Sequence, residues 1–292
     1  MIKCLAFQLT DRLSLSPNCT HLKSHGGLKA TVRNVQQHLK HYRYVLKTDV
    51  RDFYASIDHD ILLEQLAKEI NSRVLLNYLW QVIRRTVEAG GNFWDITTGI
   101  SRGCSISPIL GALYLKILDE RLTSNKWYYV RYMDDILVLS KTRWHNRQAI
   151  KVLNQVFEQL KLAKHPDKTF IGRIERGFDF LGYHFSLEPL KLAQQTIRKH
   201  AQHIIQLYEQ QKTKKATSEE MAFVLGTYVR RWRIWCNAGL GIGASAGKYT
   251  RRSGLDQSAL SLPRAPLFAW CDIRGGGYED MISSKRDAGA QL

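Results

Sequence analysis

Acidic side chains are scarce in this 292-residue chain, with 26 Asp and Glu against 43 Lys and Arg and a net charge of +17. So large a basic surplus exceeds what solubility requires, and points to a polyphosphate partner that releases counterions on binding. Cysteine is sparse too. Cys4, Cys19, Cys104, Cys236 and Cys271 are odd in number and contain no Cys-x-x-Cys pair. That pattern argues against a disulfide scaffold or a zinc site and makes a reducing cytoplasm the expected location. No apolar run approaches membrane-spanning length, so no membrane partner is expected. The first residues lack the basic-then-apolar order of a signal segment, and no internal repeat is visible.

The charge that is present is unevenly placed. Residues 1–46 carry seven Lys or Arg and one acid, while residues 186–242 carry nine and four. The basic excess therefore flanks a longer and more balanced middle stretch, as a cleft gripping a duplex requires.

The middle stretch holds the most informative motif, Tyr132-Met133-Asp134-Asp135. It lies between two β-prone runs, Trp127 to Arg131 and Ile136 to Leu139, and reads as a hairpin with two carboxylates at its tip. Adjacent aspartates repel, so a turn that carries both calls for a cation. Mg²⁺ suits them because it takes hard oxygen ligands from one or two carboxylates plus phosphates. A third carboxylate, Asp49, follows the short β-prone run Tyr42 to Leu46. Asp49 and Asp134 are expected side by side on neighbouring strands, holding two metal ions. Nearby, Asp58 reads as the N-cap of a helix with Leu62, Leu66 and Ile70 on its apolar face. Asp52 reads as a turn or N-cap partner.

These motifs resemble, in order and spacing, the fingers-palm-thumb core of a reverse transcriptase of the bacterial lineage that includes group II intron and retron enzymes. KTDVRDFY (residues 47–54) resembles the first palm motif. The resemblance implies Asp49 as a metal ligand, Val50 as a carbonyl ligand, and Tyr54 as the side chain that screens out a nucleotide 2′-hydroxyl. GISRGCSISPILGALYL (residues 99–115) resembles the palm helix motif that contacts template and incoming nucleotide. Phe53, Tyr54, Arg102 and Gly103 are the implied nucleotide-binding set, with Arg102 where the family more often has glutamine. YMDD resembles the catalytic hairpin, with Asp134 a direct metal ligand and Asp135 behind it. AKHPDKTF (residues 163–170) places Lys168 as the lysine near the triphosphate, and FDFLGYHF (residues 178–185) resembles the primer grip, implying Phe180, Leu181 and Gly182. THLKSHGGLKATVRNV (residues 20–35) resembles late fingers, where Lys23, Lys29 and Arg33 are candidates to hold the triphosphate.

Residue chemistry supports these assignments independently. Small residues Gly103, Ser105 and Ser107 let a backbone approach a base and sugar closely, and Pro108 suits the first helical turn with Ser107 as its cap. After residue 186, Leu190, Ala193, Ile197, Ala201, Ile204, Ile205 and Tyr208 recur at helical spacing. Thr217 and Glu220 form a capping box. The helix that follows carries Met221, Val224, Leu225, Tyr228, Trp232 and Trp235 as a stripe expected to be packed core, and Gly239 is expected to stop it. Arg230, Arg231 and Arg233 point elsewhere and are the expected nucleic-acid contacts.

The expected fold is α+β, a right-hand polymerase palm of antiparallel sheet and helices with shortened fingers and a helical thumb. The divisions are partial fingers at 1–46, palm at 47–185, thumb at 186–242 and a Gly- and Ser-rich flexible or degraded tail at 243–292. The expected function is RNA-directed DNA polymerisation. Asp49, Asp134, Asp135 and Lys168 are the catalytic groups, with two Mg²⁺ ions (Mn²⁺ as substitute), an RNA template, a DNA or RNA primer, dNTPs and a dedicated structured RNA as partners. The alternative is a truncated or partner-dependent relic that binds RNA without synthesis.

Overall fold

Tyr44 to Thr48 and Ile136 to Leu139 are the apolar runs around which the chain folds. In this computed structural model the described residues are 2–123 and 126–240, so the expected tail at 243–292 and the last two residues of the expected thumb lie outside them. The elements run α1 (Ile2–Arg12), α2 (Gly27–Leu39), β1 (Tyr44–Thr48), α3 (Phe53–Ser56), α4 (His59–Glu69) and α5 (Arg73–Ile83). They continue with β2 (Thr86–Ala89), β3 (Asn92–Asp95), α6 (Ser107–Tyr114), α7 (Lys116–Leu122), β4 (Trp127–Tyr132), β5 (Asp135–Ser140) and α8 (Arg143–Gln159). The last are β6 (Phe170–Arg173), β7 (Phe178–Phe180), β8 (Tyr183–Phe185), β9 (Lys191–Leu192), α9 (Gln194–Thr213) and α10 (Ser218–Leu240).

The central sheet has the order β4-β5-β1-β6, with every neighbour antiparallel. β5 lies inside it, and its unbroken apolar run is explained by burial on both faces. Leu46, Ile136 and Val138 pack with α4, α6, α7 and α8 in one core. Val45, Leu137 and Leu139 pack with Val32, Val35 and Leu39 of α2 and with the three-stranded sheet β7-β8-β9 in a second core. One strand thus serves two cores by the period-two alternation of its side chains.

Local signals decide several boundaries. Asp58 accepts from the Asp60 and Ile61 amides and caps α4, whose Leu62 and Leu66 are buried, as the sequence indicates. Thr217 and Glu220 exchange the two hydrogen bonds of a capping box before α10. Three expectations are corrected. Ser107 does not cap α6 but is its first residue, and its hydroxyl instead donates to the Ser101 carbonyl at 2.6 Å. Gly239 does not stop α10, which runs to Leu240. A Cβ at Gly239 would collide with the Tyr183 hydroxyl, so the glycine there permits close packing. Leu190 and Ala193 precede α9 rather than belong to it, because β9 takes Lys191 and Leu192 and Ala193 is the N-cap. The exposed hairpin β2–β3 has no counterpart in the sequence reading.

Candidate active site

Tyr132 pairs with Asp135 across the β4–β5 hairpin, leaving Met133 and Asp134 as a two-residue turn. Met133 adopts φ 55°, a left-handed conformation unusual for a bulky residue. On the adjacent strand β1, Thr48 pairs with Ile136, so Asp49 emerges at the same sheet end as the turn. Its carbonyl accepts from the His165 amide, and the Arg51 amide donates to Ala163. These two bonds flank Val50 and leave the Val50 carbonyl outside the pairing.

Burial and mutual charge make the carboxylates uncomfortable together. Asp49 is only 5 % exposed. The Asp134 carboxyl is raised above the usual range by burial first and by the Asp49 charge second. Asp135 is pushed up to about 6, by burial and then by Asp49. Lys168 forms an ion pair with Asp49, which raises its own pKa. Partly buried carboxylates whose charges oppose one another offer the hard oxygen donors that suit a divalent cation. Among the described residues no group of three or more His, Cys, Asp or Glu side chains is placed to hold a metal ion by itself, so such a cation would also need backbone or phosphate oxygens.

Two cavities meet at Asp134. One, of about 460 Å³, is lined by Asp49, Val50, Asp52, Phe53, Tyr54, Arg102, Asp134, His165 and Lys168. Tyr54 stands in its wall, its hydroxyl pKa raised to about 12 by burial and by Asp134. Gly103 at φ 83° forms the neighbouring turn but does not line this cavity. Asp52 opens α3 at φ 46° without a side-chain capping bond, so it is a turn residue. The second cavity, of about 970 Å³, runs from Met133, Asp134 and Asp135 past Leu181 and Gly182 to α9 and α10.

Leu181 and Gly182 form the turn between β7 and β8, both at positive φ (50° and 85°), which a tight hairpin of this hand requires. Phe180 does not reach the cleft, being 1 % exposed in the second core. On α10, Arg231 lines the cleft, whereas Arg230 and Arg233 are exposed outside its lining. The aromatic stripe is corrected as well. Of its members only Leu225 is buried, and Tyr228, Trp232 and Trp235 face the cleft half-exposed. His200 stacks on Trp232 with ring centres 3.6 Å apart, and His203 joins the same wall.

Lys29 does not line the smaller cavity. Its ammonium donates to the Tyr183 hydroxyl (2.6 Å) and the Trp235 carbonyl (2.5 Å) and sits 3.6 Å over the Trp235 ring. Burial lowers its pKa to about 8. It ties α2 to β8 and α10 rather than serving a triphosphate. Lys23 lies over the Phe7 ring, and Arg33 is exposed on α2.

The sequence reading missed the support of the β4–β5 hairpin. Arg131, fully buried, binds Asp119 through Nε (2.8 Å) and Nη2 (2.5 Å). The Tyr129 hydroxyl donates to the same carboxylate at 2.5 Å. A charged residue in the middle of an apolar strand was the available signal, since a buried arginine needs a partner.

A four-stranded antiparallel sheet carrying carboxylates at one end, backed by helices and faced by a helical pair, defines a right-hand polymerase fold. Telomerase from Candida albicans, solved with a TWJ fragment of telomeric RNA, superposes with a TM-score of 0.53 at 14% identity, covering 82% of this chain and 47% of that one. Telomerase from Candida tropicalis, with the same kind of fragment, gives 0.51 at 12% identity, over 88% of this chain and 48% of that one. At such identity the likeness is one of fold. The family model described as Reverse transcriptase (RNA-dependent DNA polymerase) matches residues 3–185, and the chain belongs to that family. Protein YkfC of Escherichia coli is 27% identical over 176 residues, 48% of this chain and 46% of that protein. The Putative COX1/OXI3 intron 2 protein of Saccharomyces cerevisiae is 21% identical over 215 residues, 53% of this chain and 25% of its own length. The chain thus spans less than half the length of either relative. Among the described residues no helix is long and apolar enough to cross a membrane.

Proposed function

We propose that this chain is an RNA-directed DNA polymerase that extends a primer 3′-end with dNTPs. The observation that carries the reading is Asp134, which lies between a nucleotide-sized cavity on the Asp49 side and a strand-sized cleft on the α10 side. A reacting primer end and an incoming nucleotide meet there.

Asp49, Asp134 and the Val50 carbonyl would hold divalent metal, with Asp135 supporting them. When bound, Mg²⁺ (Mn²⁺ as substitute) neutralises charge on phosphate and lowers the pKa of an attacking hydroxyl. Lys168, at the rim beside Asp49, offers a proton and a positive charge to the triphosphate side. Phe53 and Tyr54 form the wall beneath the sugar, with Tyr54 excluding a 2′-hydroxyl, and Arg102 faces the base or phosphates. Phe53 is itself buried (2 % exposed) and acts by bracing Tyr54, with ring centres 5.3 Å apart. Gly103 lets the loop approach closely. Leu181 and Gly182 grip the primer strand, held from behind by Phe180, and Arg231 contacts its phosphates with Arg230 and Arg233 beside it.

In this reading residues 1–46 act as fingers, 47–185 as palm and the described part of 186–242 as thumb. The basic surplus supplies affinity for the template–primer duplex, and a dedicated structured RNA fits the same electrostatics. The test is primer extension by the full chain on a defined RNA template with dNTPs and Mg²⁺. Extension supports the reading. Tight template–primer binding without any extension favours RNA binding without synthesis.

A further inference from the structure

The turn that carries Asp134 is held from outside its own hairpin. Residues 18–21 lie alongside β4. The Arg131 amide donates to the Asn18 carbonyl at 2.9 Å, and the Thr20 amide donates to the Arg131 carbonyl at 2.8 Å. This short pairing brings His21 against Met133. His21 Nε2 is 3.1 Å from the Pro108 carbonyl, which only accepts, so Nε2 carries the proton. Nδ1 is then a lone pair, and it accepts the Met133 amide at 3.1 Å. The buried Cys19 thiol lies 3.4 Å from the same nitrogen. On the other side of Met133, its carbonyl accepts from Arg131 Nη1 at 2.8 Å.

Both polar groups of the Met133 peptide backbone are thus engaged by side chains, and Met133 is the residue at φ 55°. A bulky residue stays in that region only where its surroundings over-determine it. We propose that His21 is a positioning residue for the catalytic turn: with Arg131 it locks Met133 in the left-handed conformation and so fixes where the Asp134 carboxylate points. The inference rests on the polymerase reading given above. Its chemistry needs a neutral imidazole, and burial lowers the His21 pKa to about 4. The protonation state is therefore constant at working pH, and the contact is a fixed support. Misplacing a reacting group by about 1 Å can cost on the order of 100-fold in rate, so the position of this turn matters as much as its composition.

The test compares wild type, His21→Ala and His21→Asn, since the Asn side-chain oxygen can replace Nδ1 as acceptor. Two readouts are taken: single-nucleotide extension kinetics on an RNA template, and hydrogen exchange of the Met133 amide by NMR. His21→Ala is expected to lower kcat by about 10- to 100-fold, with KM for dNTP and template–primer affinity within about twofold. Its Met133 amide is expected to exchange freely, and His21→Asn to restore both protection and most of kcat. An unchanged kcat or a protected Met133 amide in His21→Ala overturns the proposal. Should His21→Ala fail to fold, His21→Asn decides alone, because a kcat as low as that of an Asp134 variant, in a folded protein, overturns it. Failure of the polymerase reading shows differently, as no Asp134-dependent extension by the wild type.

Discussion

Arg131 and Asp119 form a two-pronged ion pair in which neither side chain reaches solvent, with Nε at 2.8 Å and Nη2 at 2.5 Å. The Tyr129 hydroxyl also donates to Asp119, and Arg131 also donates to the Ala112 and Met133 carbonyls. Such a pair is weak evidence of net stabilisation, because both charges lose their water. Removing one partner is another matter. Asp119→Ala strands a buried guanidinium and is expected to destabilise the fold by about 3–5 kcal/mol in urea unfolding. A loss below about 1 kcal/mol would show that water reaches Arg131 and that the hairpin is not anchored there.

Tyr54 stands in the wall of the smaller cavity beside Asp134. If it excludes the 2′-hydroxyl, Tyr54→Ala should relax discrimination between dNTP and rNTP by about 10- to 100-fold. The comparison is kcat/KM for each nucleotide on one primer–template. Unchanged sugar discrimination would remove Tyr54 from that role.

Lys29 joins three elements through the Tyr183 hydroxyl, the Trp235 carbonyl and the Trp235 ring. Lys29→Met keeps much of the stem and removes the charge. It is expected to cost about 1–3 kcal/mol and to speed hydrogen exchange around Trp235. Exchange there at the wild-type rate would mean that α10 is docked by its apolar contacts alone.

His21 gives a pH signature. Its folded pKa of about 4 lies below the 6.5 of the unfolded chain, so between those values the unfolded state binds more protons. Its contribution is fully present above pH 6.5 and fades as pH falls toward 4. Between pH 6.5 and 5 the wild type should lose up to about 2 kcal/mol that His21→Asn does not. Asp134 and Asp135, raised in pKa, slope the other way, but they are common to both proteins. Parallel stability–pH curves for the two proteins would contradict a neutral, buried His21.

Much of this was legible in the sequence because the deciding signals are local. The hairpin, the Asp58 cap, the Thr217–Glu220 box and the strand that ends just before Asp49 each depend on residues a few positions apart. Arg131–Asp119 spans 12 residues and His21–Met133 spans 112, and no periodicity links such pairs. The α10 stripe was misread because an apolar face at helical spacing looks the same whether it is buried or lines a cleft. Tyr228, Trp232 and Trp235 are half-exposed in the lining of the cleft. Ser107 misled for a related reason, since Ser before Pro is a capping pattern, yet its hydroxyl is used on Ser101.

The measurement that bears most directly on the central claim is primer extension on a homopolymeric RNA template with Mg²⁺, comparing the chain with Asp134→Ala. If the chain is an RNA-directed DNA polymerase, the wild type synthesises and the variant loses at least about 100-fold, with template–primer binding intact. Equal synthesis by both proteins, or loss of binding together with synthesis, would contradict it.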